Sequence, residues 1–256
     1  MGKKVMFHSF KGGTGKTNLL ANLAVTMALK GLKVGVVDLD LKAPGLHSIF
    51  NIDGEKRLST LNEVLVTGQP MGVCLMDLTD HLMIRGGELY FIPASVQIDD
   101  ILDIFRGGYE VDPLAHGLNE VMGDRDLDII LIDSHPGLDE ETLIAMAICD
   151  SITVLSRLDR QDYTGTAVTL QVLERLRYDR LRRPISLIVN QVPEGYDLME
   201  IKEEFERTFN KPVIGTFPFY DEVFAAVSSG VFCLKRPSHP FSMRIVEVAE
   251  SLLEHL

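Results

Sequence analysis

Residues 9–17 read Ser9-Phe10-Lys11-Gly12-Gly13-Thr14-Gly15-Lys16-Thr17. The run follows a short apolar segment, Val5-Met6-Phe7-His8, and leads through Asn18 into Leu19-Leu20-Ala21-Asn22-Leu23-Ala24, whose apolar spacing is helical. Strand, glycine loop and helix in that order form a cradle for nucleotide phosphates. Glycines let successive backbone N–H groups turn inward with no Cβ in the way, and the helix N-terminus adds partial positive charge. Lys16 supplies a point charge for the β- and γ-phosphates, and the Thr17 hydroxyl is placed to ligate Mg²⁺. Gly12, Gly13, Thr14, Gly15 and Asn18 complete the expected nucleotide-binding set. The strict phosphate-loop pattern has glycine at position 10, where this chain has Phe10.

Outward from this loop, brief β-branched runs alternate with longer segments of helical period. Strands are expected at Val5–His8, Val34–Val37, Leu89–Ile92, Ile129–Ile132, Ile152–Leu155, Ile185–Val189 and Val213–Ile214. Helices are expected at Lys16–Lys30, Glu140–Ile148, Tyr163–Arg180, Leu198–Thr208 and Phe241–Leu256. The alternation predicts an α/β fold, a mostly parallel, doubly wound sheet with helices on both faces in one domain over residues 1–256, and the glycine loop after its first strand makes it of P-loop NTPase type. The stretch from Asp53 to Gly87 is the least regular.

Composition agrees. The 256 residues are 46% apolar and 24% charged with a formal charge of −12, which describes an acidic globular chain able to bury a large core. Three widely spaced cysteines, Cys74, Cys149 and Cys233, form no paired motif, which fits a reducing compartment. The N-terminal stretch turns polar at Ser9, and no apolar run is long enough to span a bilayer, so the expected location is cytoplasmic.

Carboxylates to serve the phosphate loop belong at the ends of neighbouring strands. Val34-Gly35-Val36-Val37-Asp38-Leu39-Asp40 ends one strand, and Asp128-Ile129-Ile130-Leu131-Ile132-Asp133 ends another before Ser134-His135-Pro136-Gly137. With Lys11 opening Lys-Gly-Gly-Thr-Gly-Lys-Thr, the loop resembles the deviant Walker A loop of the MinD/ParA family of ATPases, in which the residue before the signature lysine varies. The resemblance implies that Lys11 reaches across a dimer interface to the partner's ATP, so that nucleotide binding and homodimerisation are one event. It implies that Asp40, in a switch I loop Asp40-Leu41-Lys42-Ala43-Pro44-Gly45, orients or deprotonates the attacking water, with Lys11 and Lys16 acting beside it. Asp38 then supports that loop and the magnesium shell, Asp133 holds Mg²⁺ through water, and the Gly137 N–H senses the γ-phosphate. His135 lies in the second switch loop, where a histidine is ordinarily solvated, and no catalytic role is assigned to it.

Val189-Asn190-Gln191-Val192-Pro193 lacks the Asp of a guanine-reading loop. Asn190 resembles the adenine-contacting Asn of the family, and Thr216-Phe217-Pro218-Phe219-Tyr220-Asp221 its second adenine loop, with Pro218 packing on the base, so ATP is favoured over GTP. Core packing is at least as natural a reading for Phe217 and Phe219.

The implied role is a Mg²⁺-ATP switch, stimulated by a partner protein, in subcellular positioning or segregation. Delivery of metal to a maturing centre and a nucleotide-gated scaffold with negligible turnover are the alternatives. Family members that attach to membranes use a basic amphipathic C-terminal helix. Residues 242–256 here hold three Glu against one Arg, so autonomous membrane binding is disfavoured. Arg175, Arg177, Arg180, Arg182 and Arg183 against two acids form a local basic patch, readable as a DNA contact or as a solvated helix end. Cys149 reads as a small buried residue, with metal binding across a dimer as the alternative.

Overall fold

β-branched runs fold into the strands expected of them, in a computed structural model that describes residues 2–52, 59–109, 111–176, 183–226 and 229–256. The strands are β1 (Lys3–Ser9), β2 (Lys33–Leu39), β3 (Met76–Asp77), β4 (Glu88–Ile92), β5 (Ile129–Ser134), β6 (Ser151–Ser156), β7 (Ile185–Val192) and β8 (Val213–Pro218). Among the described residues these form one sheet in the order β3-β4-β2-β5-β1-β6-β7-β8. All neighbours pair in parallel except β3, a two-residue edge strand antiparallel to β4. That strand lies in the irregular region and is too short to show a period of two.

Alternation along the strands divides the core. Val5, Phe7, Val34, Val36 and Phe91 bury against the Lys16–Leu29 and Pro240–Glu254 helices. Met6, Val37, Ile130 and Ile132 face the helices of the opposite layer. The C-terminal helix starts with Pro240 behind the His239 cap and buries Phe241, Ile245, Val248 and Leu252, so its apolar face is taken up by the domain.

Two helices between β4 and β5, Ile98–Gly107 and Val111–Asp124, were not expected from sequence. In the first, Ile98 and Phe105 are exposed among Asp99, Asp100 and Asp103, which hides the core-facing stripe. The second contains Pro113, Gly117 and Gly123, all weak helix formers. Gly117 is needed for packing, since a Cβ there would stand 2.8 Å from Met71 Cβ. The helix expected from Tyr163 begins three residues earlier, at Arg160, because Asp159 caps it by accepting from Gln161 and Asp162 N–H.

The chain winds outward from β1 in both directions, leaving a crevice at the carboxyl ends of β5, β1 and β6. The glycine loop stands there. Phe10 is accommodated by Gly165, where a Cβ would lie 2.2 Å from the Phe10 ring. Replacing Gly165 by Leu is therefore expected to cost about 1–3 kcal/mol by overpacking. Thermal unfolding checks this, and the Phe10→Ala, Gly165→Leu double variant is expected to recover most of the loss.

Candidate functional site

Gly13 and Gly15 have φ of +80° and +83°, a region that a side chain disfavours. Gly15 has a second constraint, because a Cβ there would meet Asn190 Nδ2 at 2.5 Å. The Lys16–Leu29 helix that follows has no side-chain cap and no acid in its first turn. Its leading N–H groups and its dipole are thus directed to the loop, the arrangement that binds an anion.

Strand register brings the carboxylates together. β2 and β5 are neighbours with Asp38 opposite Asp133. Lys16 Nζ reaches Asp133 Oδ1 at 2.5 Å, and Thr17 Oγ1 donates to Asp133 Oδ2 at 2.6 Å. Lys16 is 6% exposed and Asp133 1%. Asp38, fully buried, accepts from Asp40 N–H at 3.2 Å and from the N–H groups of Gly45 and Leu46 at 3.1 Å each, which folds the 40–45 loop around it. Burial and the facing Asp133 charge push the Asp38 carboxyl up to about 7, against the opposing pull of its backbone hydrogen bonds. One lysine does not neutralise this group.

That excess negative charge, with the Thr17 hydroxyl beside it, fits a hard divalent cation. Among the described residues no cluster of three or more His, Cys, Asp or Glu is arranged to cage a metal. Mg²⁺ here would take its remaining ligands from phosphate and water, as it commonly does.

The second switch loop lies against the glycine loop. Gly137, at φ +96°, donates its N–H to Ser9 O at 3.0 Å, and Pro136 packs 3.9 Å from the position of a Cβ on Gly12. His135 is not simply solvated: its Nδ1 lies 2.8 Å from Asp40 Oδ1. No local pattern signals this contact, whose partners are 95 residues apart.

The adenine candidates also converge. A register shift in β7 places Asn190 and Gln191 toward the loop, with Asn190 Nδ2 donating to Thr14 O at 2.7 Å and Gln191 Nε2 to Gly13 O at 3.3 Å. Asn190 therefore braces the phosphate loop, a role not expected for it, while still lining a cleft with Gly15, Asn18, Pro218 and Phe219. Phe217 is fully buried against Phe241, whereas Phe219 is 44% exposed at the cleft rim. Core packing was the right reading for the first and not for the second.

The basic patch is less coherent than its sequence. Arg183 donates to Ala147 O, Arg175 closes its helix, and Arg177, Arg180 and Arg182 lie outside the described residues. Lys11 makes no ion pair among the described residues, and its carbonyl accepts from Ser9 Oγ at 2.8 Å. Cys149 is buried, donates to Ala145 O at 3.2 Å, and has its thiol pushed up to about 12 by burial. No helix among the described residues is long and apolar enough to cross a membrane.

The chain is 29% identical over 248 residues to an uncharacterized ATP-binding protein of Methanocaldococcus jannaschii, covering 96% of this chain and 85% of that one. It is 28% identical over 178 residues to an iron-sulfur cluster carrier protein of Methanococcus maripaludis, covering 66% of this chain and 56% of the relative. Its fold matches the septum site-determining protein MinD of Pyrococcus horikoshii, solved with Mg-ADP. The TM-score is 0.78 at 22% identity, over 98% of this chain and 96% of that one. The profile of the CobQ/CobB/MinD/ParA nucleotide-binding domain matches residues 5–231, from β1 through the glycine loop and the loops at 40–45 and 134–137 to Asn190 and Pro218. On that span the chain belongs to the CobQ/CobB/MinD/ParA nucleotide-binding family.

Proposed function

We propose that this chain is a Mg²⁺-ATP-dependent ATPase switch that closes into a homodimer when ATP is bound. It hydrolyses slowly alone, and a partner protein stimulates it. The observation that carries the reading is the meeting of Lys16, Thr17, Asp38, Asp40 and Asp133 at one crevice beside an uncapped helix N-terminus. Lys16 holds the β- and γ-phosphates, and the N–H groups of Gly12 to Thr17 wrap them. Thr17 and Asp133 would hold Mg²⁺, which screens phosphate charge when bound. Asp38 keeps the 40–45 loop in shape, and Asp40 orients and deprotonates the attacking water. Gly137 N–H exchanges Ser9 O for the γ-phosphate, while Asn190 and Pro218 contact adenine.

Lys11 extends the loop across the interface. Lys11→Ala is expected to leave ATP affinity within about threefold of wild type while abolishing the Mg²⁺-ATP-dependent rise in mass on size exclusion. Dimerisation at wild-type ATP concentrations would remove Lys11 from the interface.

The cellular task we favour is positioning or segregation of a cargo in the cytoplasm, the surface being a partner protein or DNA. Stimulation of phosphate release by DNA, vesicles or a captured partner separates those surfaces, and a rate that none of them moves points to a scaffold. The similarity to an iron-sulfur cluster carrier favours a second reading, delivery of metal to a maturing centre. Cys149 is a poor ligand for that task, being buried and firmly protonated. Stoichiometric metal in anaerobically purified protein, lost in Cys149→Ser, would establish the second reading.

A further inference from the structure

Asp40 Oδ1 takes two hydrogen bonds, from Ala43 N–H at 3.1 Å and from His135 Nδ1 at 2.8 Å. An ionised carboxylate only accepts, so Nδ1 carries the proton in this contact. Both bonds fall on one oxygen. Among the described residues Oδ2 has no protein partner.

The loop that carries the His135 ring is fixed from β1. Ser134 Oγ donates to His135 O at 3.1 Å and lies 3.0 Å from His8 Nδ1. A serine hydroxyl has one proton, here committed to the carbonyl, so His8 Nδ1 is the donor in the second contact. His8 Nε2 is then a bare lone pair, and it is the atom left buried without a partner. Burial and the Lys16 charge push the His8 pKa down to about 3, which keeps the ring neutral and its tautomer fixed. His8, Ser134, His135 and Asp40 thus form one line from the central strand to the first switch loop.

We propose that His135 is a positioning residue for the hydrolysis assigned to Asp40: its Nδ1–H fixes the rotation of the carboxylate and leaves Oδ2 to take the water proton. The inference rests on the reading of Asp40 given above. In the step, the water oxygen bonds to the γ-phosphorus, and the bond from that phosphorus to the β,γ-bridging oxygen breaks with its electron pair leaving on ADP. The water proton passes to Oδ2 and from there to solvent. His8 and Ser134 hold the backbone of His135 so that the ring stays on its partner. A contact that served stability alone would change the melting temperature and leave turnover as it was.

The test is single-turnover phosphate release with protein in excess over Mg²⁺-ATP, followed for hours so that slow chemistry registers. Asn sets an amide N–H close to the place of Nδ1–H, and Gln sets one near Nε2. His135→Ala and His135→Gln are expected to lower the rate constant about tenfold to a hundredfold, as small misplacements of a reacting group do. His135→Asn is expected to keep about half of it, with ATP affinity in all three within about twofold of wild type. The Asn and Gln variants keep a polar side chain of similar size, so their comparison stands even if the alanine variant is unstable. A wild-type rate in His135→Ala, or a loss in Asn as deep as in Gln, overturns the proposal. Asp40→Asn separates the two readings. If it is inactive while His135→Ala is unaffected, only the role of His135 fails. If it retains the wild-type rate, or if the wild-type chain releases no phosphate, both fail.

Discussion

Lys16→Ala is expected to weaken ATP binding about a hundredfold or more, measured by titration with a fluorescent ATP analogue. A hydrogen bond to a charged group contributes about 1.5–3 kcal/mol, and in the proposed site Lys16 would make such bonds to two phosphates, while each 1.4 kcal/mol is a factor of ten. The same substitution has a second effect that has to be separated. Lys16 is buried on Asp133, and Asp133 faces Asp38 across neighbouring strands, so alanine leaves two buried carboxylates with no cation between them. Removing one partner of a buried pair typically costs about 3–5 kcal/mol. Thermal unfolding is therefore expected to drop in Lys16→Ala, and Asp133→Asn added to it is expected to restore stability without restoring ATP affinity. An ATP affinity within a few-fold of wild type in the restored double variant would remove Lys16 from the phosphate site.

Much of this site was legible because its parts are either contiguous or tied to strand ends. Residues 9–17 carry the loop, its lysines and its threonine in one stretch, and the backbone strain at Gly13 and Gly15 is what the glycines announce. Asp133 ends β5, which does neighbour β1, whereas Asp38 ends β2, one strand farther out, so the two carboxylates meet through the β2–β5 register and not because both strands flank β1. His135 was not legible. The role proposed for it depends on a contact with Asp40 across two loops, and no local pattern in Ser134-His135-Pro136 encodes that partner. The place of Asn190 was legible, and its bond to the Thr14 carbonyl was not, since that depends on a bulge in β7. In the fold, what escaped was held by tertiary packing against weak local preference, as Gly117 shows in the Val111–Asp124 helix.

The charge balance of the crevice explains why three acids can stand together in a chain with an excess of them. Asp38 is screened by backbone N–H groups, Asp133 by Lys16 and Thr17, and Asp40 by Ala43 N–H and His135. Of these three, only Asp40 has a carboxylate oxygen without a protein partner among the described residues. It also retains 9% exposure, where Asp38 and Asp133 have almost none. Of the three it is the most open to a water molecule, which is what the role proposed for it requires.

Asp40→Asn follows from that separation. Asparagine keeps the shape of the side chain and an Oδ1 that accepts from Ala43 N–H and His135, but it has neither the charge nor the basicity to take a proton. Loss of a general base typically costs about 10²- to 10⁴-fold, and phosphate release is expected to fall by that amount. ATP affinity is expected to stay within about threefold, because the proposed site holds the phosphates by the glycine loop and Lys16 rather than by Asp40. Folding is expected to be unharmed or improved: the Asp40 charge adds to the repulsion that raises Asp38, and the substitution removes it. With binding intact and chemistry slowed, the Mg²⁺-ATP form has no exit except dissociation. A dimer that persists on size exclusion, while the wild-type dimer decays as phosphate is released, is then the expected trace. Wild-type turnover in Asp40→Asn would transfer the chemistry to another group. A persistent monomer with ATP bound would instead uncouple nucleotide from dimerisation and remove the premise on which the switch rests.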